Sequence, residues 1–275
     1  MATLLLILLG VAVGILGAIL GIGGGIIMVP VLTFFFNIPI HNAIAISLVV
    51  ITANSMSTSA VYLKTGTANL NLGIALSTAS VIGALIGSKI AVLLPQSKVM
   101  FILGIIQLIM AYLTYLKMKK GSKEHIENIE NKSFFYGEFV DLATKKLVKY
   151  NPVKIGYNFL FSCFSGVFSG LSGAGGGAMI IPGMNLISNI PIKAATATSS
   201  FIIGFTAAAG SIVYMQAGYV DVKVACFVIL GIFAGTMISM RYFSKITDKK
   251  VSYLLIILLL IVAFQMMYEG IMIND

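Results

Sequence analysis

Long uncharged apolar stretches, separated by short polar segments, make up most of the chain. Seven stretches contain no Asp, Glu, Lys or Arg, namely 1–63, 65–88, 99–116, 155–192, 194–220, 224–240 and 251–268. A helix needs about 20 mostly apolar residues to cross a bilayer, so nearly every stretch is long enough for one crossing. The ten-residue alternation that marks a membrane β-strand does not occur in this sequence. The pattern predicts an all-α polytopic membrane protein.

Glycine runs interrupt two of these stretches in the same way. GIGGG occupies 21–25, and GAGGG occupies 173–177, which lies 152 residues later. Glycine inside a helix costs about 1 kcal/mol relative to alanine, so each run predicts a break between two helical arms. The predicted arms are 2–20 and 26–36 in the first copy, and 154–172 and 178–188 in the second. The second arm of each pair either dips into the bilayer and returns or crosses a thinned region.

The apolar part of the chain repeats with a shift of 152 residues and no gap. Between Gly21 and Lys89, 19 of 69 positions are identical to those of the second copy, and NIPI at 37–40 recurs at 189–192. Three predicted spans follow the broken segment in each half, near 42–63, 68–88 and 99–116, then near 194–215, 222–240 and 251–268. This division predicts a first repeat at 1–116, a polar linker at 117–153 and a second repeat at 154–275.

The number of crossings predicts that the two repeats are inverted relative to each other. Each half contains a broken pair that returns to its starting side and then three crossings, which is an odd total. Basic residues support this arrangement, because they concentrate in cytoplasmic loops of membrane proteins. With the linker in the cytoplasm, fifteen of the 18 basic residues lie inside and three, Lys89, Lys98 and Lys223, lie outside. Both termini are then outside, and the expected location is the cytoplasmic membrane.

The polar linker is the main charged segment of the chain. Residues 117–154 hold 14 of the 27 charged residues, and the sequence EFVDLATKKLVKYNP within them favours a short hairpin. A segment of this size between two halves is interpreted as a connector rather than a catalytic domain.

The glycine breaks are the predicted binding site. A broken helix exposes unpaired backbone N–H groups, and the helix that restarts points its positive dipole end at the same place. Together these features favour an anion without any charged side chain. Hydroxyl and amide residues at matching positions downstream extend the predicted polar lining. The predicted site residues are Gly23, Gly24, Gly25, Gly175, Gly176, Gly177, Ser47, Asn54, Thr196, Thr198, Ser199 and Ser200. The alternative interpretation is that the glycines only allow close helix packing.

Titratable residues are missing from the middle of every predicted span. His41 and Asp221 lie at span ends, and no His/Cys cluster, carboxylate pair or Ser–His pair falls within a span. Intramembrane enzymes and proton-coupled carriers place such groups at membrane depth. We therefore expect no enzyme, no metal and no cofactor. The net charge of +9 follows the positive-inside pattern, and nucleic acid is not an expected partner.

The sequences GAILGIGGGIIMVPVL, FSGLSGAGGGAMIIPGM and NIPIKAATATSS resemble the TauE/SafE family, also called the TSUP or sulfite exporter family. The resemblance covers nearly the whole chain. It implies a transporter of sulfur-containing anions, such as sulfite or organosulfonates, in the bacterial or archaeal cytoplasmic membrane. The family's signature loops correspond to Gly21–Gly25 with Pro30 and Gly173–Gly177 with Pro182. The chain departs from a symmetrical pattern at Ala174, where the first copy has Ile22.

Membrane energetics favour export as the direction of transport. Each negative charge that leaves a cell with a potential of about 100 mV, negative inside, gains about 2.3 kcal/mol. Three alternatives remain open at this point. The leading one is an anion exporter that works by alternating access. The second is a cation-coupled importer of a sulfur oxoanion or small organic acid, and the third is a non-transporting membrane scaffold. Whether the chain forms a homo-oligomer also stays open.

Overall fold

The computed structural model describes residues 2–93, 101, 104–105, 108–109, 111–116, 133–141, 146–243 and 248–272. Residues 111–116 are helical. The bounded elements are helices α1 Ala2–Leu20, α2 Gly25–Phe36, α3 Ile40–Lys64 and α4 Leu70–Leu93, strands β1 Gly137–Asp141 and β2 Lys146–Tyr150, and helices α5 Ile155–Ser172, α6 Gly177–Ser188, α7 Ile192–Gln216, α8 Val222–Phe243 and α9 Asp248–Met272.

The predicted all-α membrane fold is confirmed. Five helical segments within the described ranges are long and apolar enough to cross a bilayer, namely Thr3–Leu20, Ile40–Lys64, Leu70–Leu93, Ile192–Gln216 and Val222–Ser239. Predicted and observed helix bounds agree within a few residues, because the glycine, proline and charged residues that end the helices are visible in the sequence. Seven of the 18 residues of the predicted span at 99–116 lie outside the described residues, and the eleven described ones are helical.

Small residues hold the outer helices of one half against those of the other half. Helix α4 packs against α5, and α1 packs against α8. A Cβ on Gly87 would lie 2.8 Å from the Cα of Val167, and one on Gly14 would lie 3.0 Å from the Cα of Ile232. These backbones can approach so closely only because the side chain is a hydrogen atom. The two most buried spans, α3 and α7, pack against each other between these pairs.

The ends of α3 lie on opposite faces of the helical bundle, and their contacts define those faces. At its first turn, the His41 ring stacks on Tyr219 at 5.2 Å, and the Asn42 side chain donates to the carbonyl of Tyr219 at 2.9 Å. Beyond its other end, the Asn69 side chain donates to the carbonyl of Phe135, next to the linker hairpin, at 2.8 Å. The loop after α3 and the hairpin therefore share one face, and the start of α8 lies on the other.

The linker contains the hairpin that its sequence favours. Strands β1 and β2 pair antiparallel from Gly137 opposite Tyr150 to Asp141 opposite Lys146. Side chains of a β-strand point alternately to its two faces. Phe139 and Asp141 lie on the buried face of β1, towards the helices. Burial raises the pKa of Tyr150 to about 12, so its hydroxyl stays protonated at physiological pH.

A buried ion pair attaches this hairpin to the second half. The Asp141 carboxylate accepts a hydrogen bond from the Lys193 ammonium at the start of α7, and both side chains are almost fully buried. Since Asn69 of the first half also contacts this region, the hairpin joins the two halves on one face.

Removing one partner of this ion pair should destabilise the protein. Asp141→Ala leaves the Lys193 charge buried without its carboxylate, and we expect the free energy of unfolding to fall by about 3–5 kcal/mol. Glu138→Ala, which removes an exposed carboxylate from the same strand, should change it by less than about 0.5 kcal/mol. Denaturant unfolding in detergent measures both values. Equal effects of the two substitutions would contradict the structural role of the pair.

Candidate functional site

The two glycine breaks have the same backbone conformation. Gly23 and Gly24 have φ values of 81° and 88°, and Gly175 and Gly176 have values of 82° and 70°. These angles lie in the left-handed region, which glycine adopts without steric cost. The helices restart at Gly25 and at the equivalent glycine of the second half, and neither start is capped by a side chain.

The two breaks contact each other directly. A Cβ on Gly25 would lie 2.5 Å from the carbonyl oxygen of Gly173, and a Cβ on Gly177 would lie 2.9 Å from the carbonyl oxygen of Gly21. The start of each short helix thus touches the end of the long arm from the other half. The predicted meeting of the two glycine runs is present in the structure, and all ten residues of the two runs are buried.

Two serines at equivalent positions connect the halves through these carbonyls. The Ser47 hydroxyl on α3 donates to the carbonyl of Gly173 at 2.8 Å, and the Ser199 hydroxyl on α7 lies 2.7 Å from the carbonyl of Gly21. Each serine therefore satisfies the carbonyl that ends the broken arm of the opposite half. Ser199 also lies within hydrogen-bond distance, 2.8 Å, of the carbonyl of Thr196 on its own helix.

Two further carbonyls of the breaks are satisfied differently in each half. The Asn54 side chain donates to the carbonyl of Gly23 at 3.0 Å, and its own oxygen accepts a hydrogen bond from Thr236 at 2.8 Å. In the second half, the Ser165 hydroxyl donates to the carbonyl of Gly176 at 2.8 Å. The backbone of the site is thus symmetrical, whereas the side chains that hold it are not.

Six glycine amides of the breaks are unpaired, in contrast to these carbonyls. Within the described ranges, no acceptor bonds the N–H groups of Gly23, Gly24 and Gly25, or those of Gly175, Gly176 and Gly177. These N–H groups lie at the N-termini of α2 and α6, which are 12 residues long each. The N-terminus is the positive end of a helix dipole. Buried N–H groups at a helix start bind anions through the same backbone geometry as phosphate-binding loops.

Two isoleucines and a serine cover the breaks. A Cβ on Gly23 would lie 2.6 Å from Cγ2 of Ile51, 3.2 Å from Cγ2 of Ile203 and 3.3 Å from the Ser55 hydroxyl. The two isoleucines are themselves 152 residues apart and lie on α3 and α7. The Ser55 hydroxyl is buried and forms no hydrogen bond within the described structure. It is a free donor next to the unpaired amides.

Of the remaining predicted site residues, Thr196 contacts the first break, whereas the hydroxyls of Thr198 and Ser200 bond other groups. The carbonyl of Thr196 approaches the first break, close to where a Cβ of Gly21 would lie, and its buried hydroxyl has no partner among the described residues. The Thr198 hydroxyl accepts from the amide of Asn69 at 3.0 Å, and Ser200 bonds the carbonyl of Thr196 on its own helix at 3.2 Å. The structure does not bring these last two hydroxyls to the breaks.

Sequence reasoning missed several residues that form the site, namely Ile51, Ser55, Ser165, Ile203 and Thr236. Of these residues, only the two isoleucines could have been found from the repeat, because they occupy equivalent positions 152 residues apart. The polar residues Ser55, Ser165 and Thr236 align with Ala207, Val13 and Ala84 in the other copy, so the repeat did not point to them.

Comparison with known proteins identifies the family of this chain. The Sulfite exporter TauE/SafE family profile matches residues 6–266, which include both breaks. The chain belongs to the TauE/SafE family. It is accordingly a multi-pass membrane transporter and not an enzyme.

Relatives of this TauE/SafE protein occur in bacteria and archaea. The chain is 29% identical to the "Probable membrane transporter protein YunE" of Bacillus subtilis, with 98% of this chain and 99% of the relative covered. It is 27% identical to a "Probable membrane transporter protein" of Methanocaldococcus jannaschii, with 91% and 90% covered. A third relative, YdhB of Bacillus subtilis, is 24% identical, with 87% and 88% covered. No solved structure matches the chain significantly.

The two serine bonds between the halves should stabilise the fold. Ser47→Ala and Ser199→Ala each leave a buried carbonyl without its donor, and each should lower the free energy of unfolding by about 1–3 kcal/mol. Ser57→Ala is the control, because that hydroxyl bonds the carbonyl of Ala53 within one helix. Denaturant unfolding should show a loss of less than about 0.5 kcal/mol for the control. Equal losses of unfolding free energy in all three variants would mean that the bonds between the halves stabilise the protein no more than a bond within one helix.

Because the two breaks contact each other, a methyl group added to either one should prevent normal folding. Gly25→Ala and Gly177→Ala place a Cβ against the backbone of the other half, and we expect the yield of monodisperse protein to collapse. Gly156→Ala adds the same atom in open space on α5, and should leave stability unchanged or raised by up to about 1 kcal/mol. Size-exclusion profiles and thermal unfolding compare the three variants. Normal folding of either break variant contradicts the close contact.

Proposed function

We propose that this transporter moves small sulfur-containing anions, such as sulfite or organosulfonates, by alternating access, and that the anion binds at the glycine breaks. The observation that carries the proposal is the division of polar backbone groups at the breaks. Four carbonyls, those of Gly21, Gly23, Gly173 and Gly176, are engaged by side chains. The neighbouring amides have no acceptor in the described structure.

This division favours an anion over a cation. A sodium ion at a broken helix is held by unwound backbone carbonyls. Here, hydroxyl and amide donors already bond four of the break carbonyls, whereas the N–H groups of six glycines and the Ser55 hydroxyl are free to donate. Sulfite and sulfonate groups present three oxygens that accept hydrogen bonds. The site therefore has the polarity of an oxyanion receptor, and the cation-coupled importer loses support.

Export is the proposed direction. Each unit of negative charge gains about 2.3 kcal/mol per 100 mV on leaving a cell that is negative inside. A doubly charged anion gains twice as much, so outward movement needs no coupling ion. Within the described residues, no charged side chain is among the hydrogen-bond partners or nearest neighbours of the break glycines, which agrees with a transporter driven by the potential alone.

The proposed orientation places the linker hairpin in the cytoplasm, both termini outside, and the two repeats inverted about the site. Three observations support this arrangement. The arrangement assigns fifteen of the 18 basic residues to the cytoplasmic side, as the positive-inside rule requires. The left-handed glycines recur 152 residues apart, and equivalent serines bond the carbonyls of opposite halves.

Alternating access requires the cover over the breaks to move. Gly23 and Gly175 are buried beneath Ile51 and Ile203, so the structure is closed around the proposed site. These isoleucines lie on the two central helices, and a shift of α3 against α7 would uncover the amides. Inverted-repeat transporters expose a fixed midplane site by rocking motions of this kind.

Transport assays with purified protein in liposomes test the proposal. We expect labelled sulfite or an organosulfonate to move in the direction set by an imposed membrane potential, without a sodium or proton gradient. Ser55→Ala removes a free donor at the site, and should raise the KM about five-fold, the equivalent of one hydrogen bond. Thermal unfolding should be unchanged, because that hydroxyl has no partner to lose.

Ser57→Ala provides the matched control for this experiment. Its hydroxyl lies two residues away on the same helix and is bonded within that helix, so the KM should stay at the wild-type value. Absence of anion flux from well-folded protein would contradict the proposed substrate class. Flux that appears only with a sodium gradient would contradict uncoupled export and restore the importer.

A further inference from the structure

The first arm of the second half carries a row of polar side chains along one helix face. Asn158, Ser162, Ser165 and Ser169 are spaced by four, three and four residues on α5, and this spacing places them one above another. All four are fully buried. The row begins one turn after the linker and ends beside the glycine break.

The row faces α6, the short helix that follows the break. The Asn158 side chain donates to the Ser188 hydroxyl near the end of α6 at 3.1 Å. At the other end of the row, Ser165 bonds the carbonyl of Gly176, and a Cβ on Gly176 would lie 3.2 Å from the Cβ of Ser169. Asn158, Ser165 and Ser169 therefore lie along the α5–α6 interface, from the linker side to the proposed anion site.

Three polar atoms of the row have no partner within the described structure. They are Oδ1 of Asn158 and the hydroxyls of Ser162 and Ser169. On the same helix, Ser172 bonds the carbonyl of Phe168 one turn back at 2.8 Å, so a self-contained bond is available to serines of α5. A buried polar group left unpaired costs about 1–3 kcal/mol, and such groups in native proteins call for a functional or solvent explanation.

Helix packing does not require these polar residues. The equivalent positions in the first half are Leu6, Gly10, Val13 and Gly17. A Cβ on Gly24 would meet the side chain of Val13, just as one on Gly176 would meet Ser165. The first half thus makes the contact at Val13 without a hydroxyl, whereas a Cβ on Gly10 would meet Val228 and Gly231 of α8. The polar row is specific to the second half.

We propose that the hydroxyls of Ser162 and Ser169 form a transit site for the oxyanion on the linker side of the breaks. The inference rests on the proposed function, because it supplies the path by which the anion reaches the amides. The free hydroxyls of Ser162 and Ser169, two helical turns apart, donate to the oxygens of a sulfite or sulfonate group and replace part of its hydration water. The apolar face of α1 offers no such path from the other side.

The test compares the two faces of the membrane in cells that express the full chain. Right-side-out and inside-out vesicles present opposite faces, and protease cleavage of the linker identifies the linker side in each preparation. The probe is labelled sulfite. For Ser162→Ala/Ser169→Ala, we expect the KM on the linker side to rise about five-fold relative to the KM on the other side. Ser57→Ala, with its internally bonded hydroxyl, should leave that ratio unchanged.

Thermal unfolding separates a transit role from a structural one. The double variant removes two hydroxyls that bond nothing, so its Tm should be unchanged or higher. A lower Tm with an unaltered KM ratio would show that the row is structural and overturn the proposal. An unaltered ratio with unaltered Tm overturns it as well, while wild-type sulfite transport keeps the proposed function intact. If the wild-type protein moves no sulfite from either side, both the function and the transit site fail.

Discussion

Backbone contact between the two glycine breaks is the constraint on which the rest of this structure depends. Gly25 and Gly177 lie so close to carbonyl oxygens of the other half that no side chain fits between them. The contact brings two helix starts together at the centre of the bundle, and the serine bonds from α3 and α7 fix their separation. The close packing of α1 on α8 and of α4 on α5, again through glycines, surrounds the same centre.

This geometry concentrates hydrogen-bond donors without using a charged residue. Side chains bond four of the carbonyls, and six glycine amides and the Ser55 hydroxyl remain as donors. In a low-dielectric interior, unpaired donors and two converging helix dipoles attract negative charge strongly. A lysine at the same depth would hold an anion more tightly and would cost several kcal/mol to bury. Backbone donors are better suited to an ion that has to leave again.

Features that depend on local sequence could be predicted, whereas those that depend on helix rotation could not. The breaks, the helix bounds and the equivalent positions of Ser47 and Ser199 follow from the glycine runs and the repeat. The sequence predicted these two serines as anion ligands, whereas their hydroxyls bond carbonyls of the opposite half. Consecutive residues of a helix point in directions about 100° apart. Composition alone therefore did not show that Ser199 faces a break while the neighbouring Thr198 bonds Asn69. The Lys193–Asp141 pair joins residues 52 positions apart, and no local pattern indicates it.

Amide chemical shifts test the central claim most directly, because they report on the backbone donors themselves. Protein labelled with ¹⁵N-glycine in detergent micelles contains only 28 labelled positions, and a titration with sulfite can be followed against a titration with sodium chloride. The account predicts that sulfite shifts the amide signals of Gly23–Gly25 and Gly175–Gly177, and that Gly156 and Gly218, far from the breaks in open surroundings, stay unmoved. Signals of the two breaks that respond to sodium and not to sulfite would contradict it.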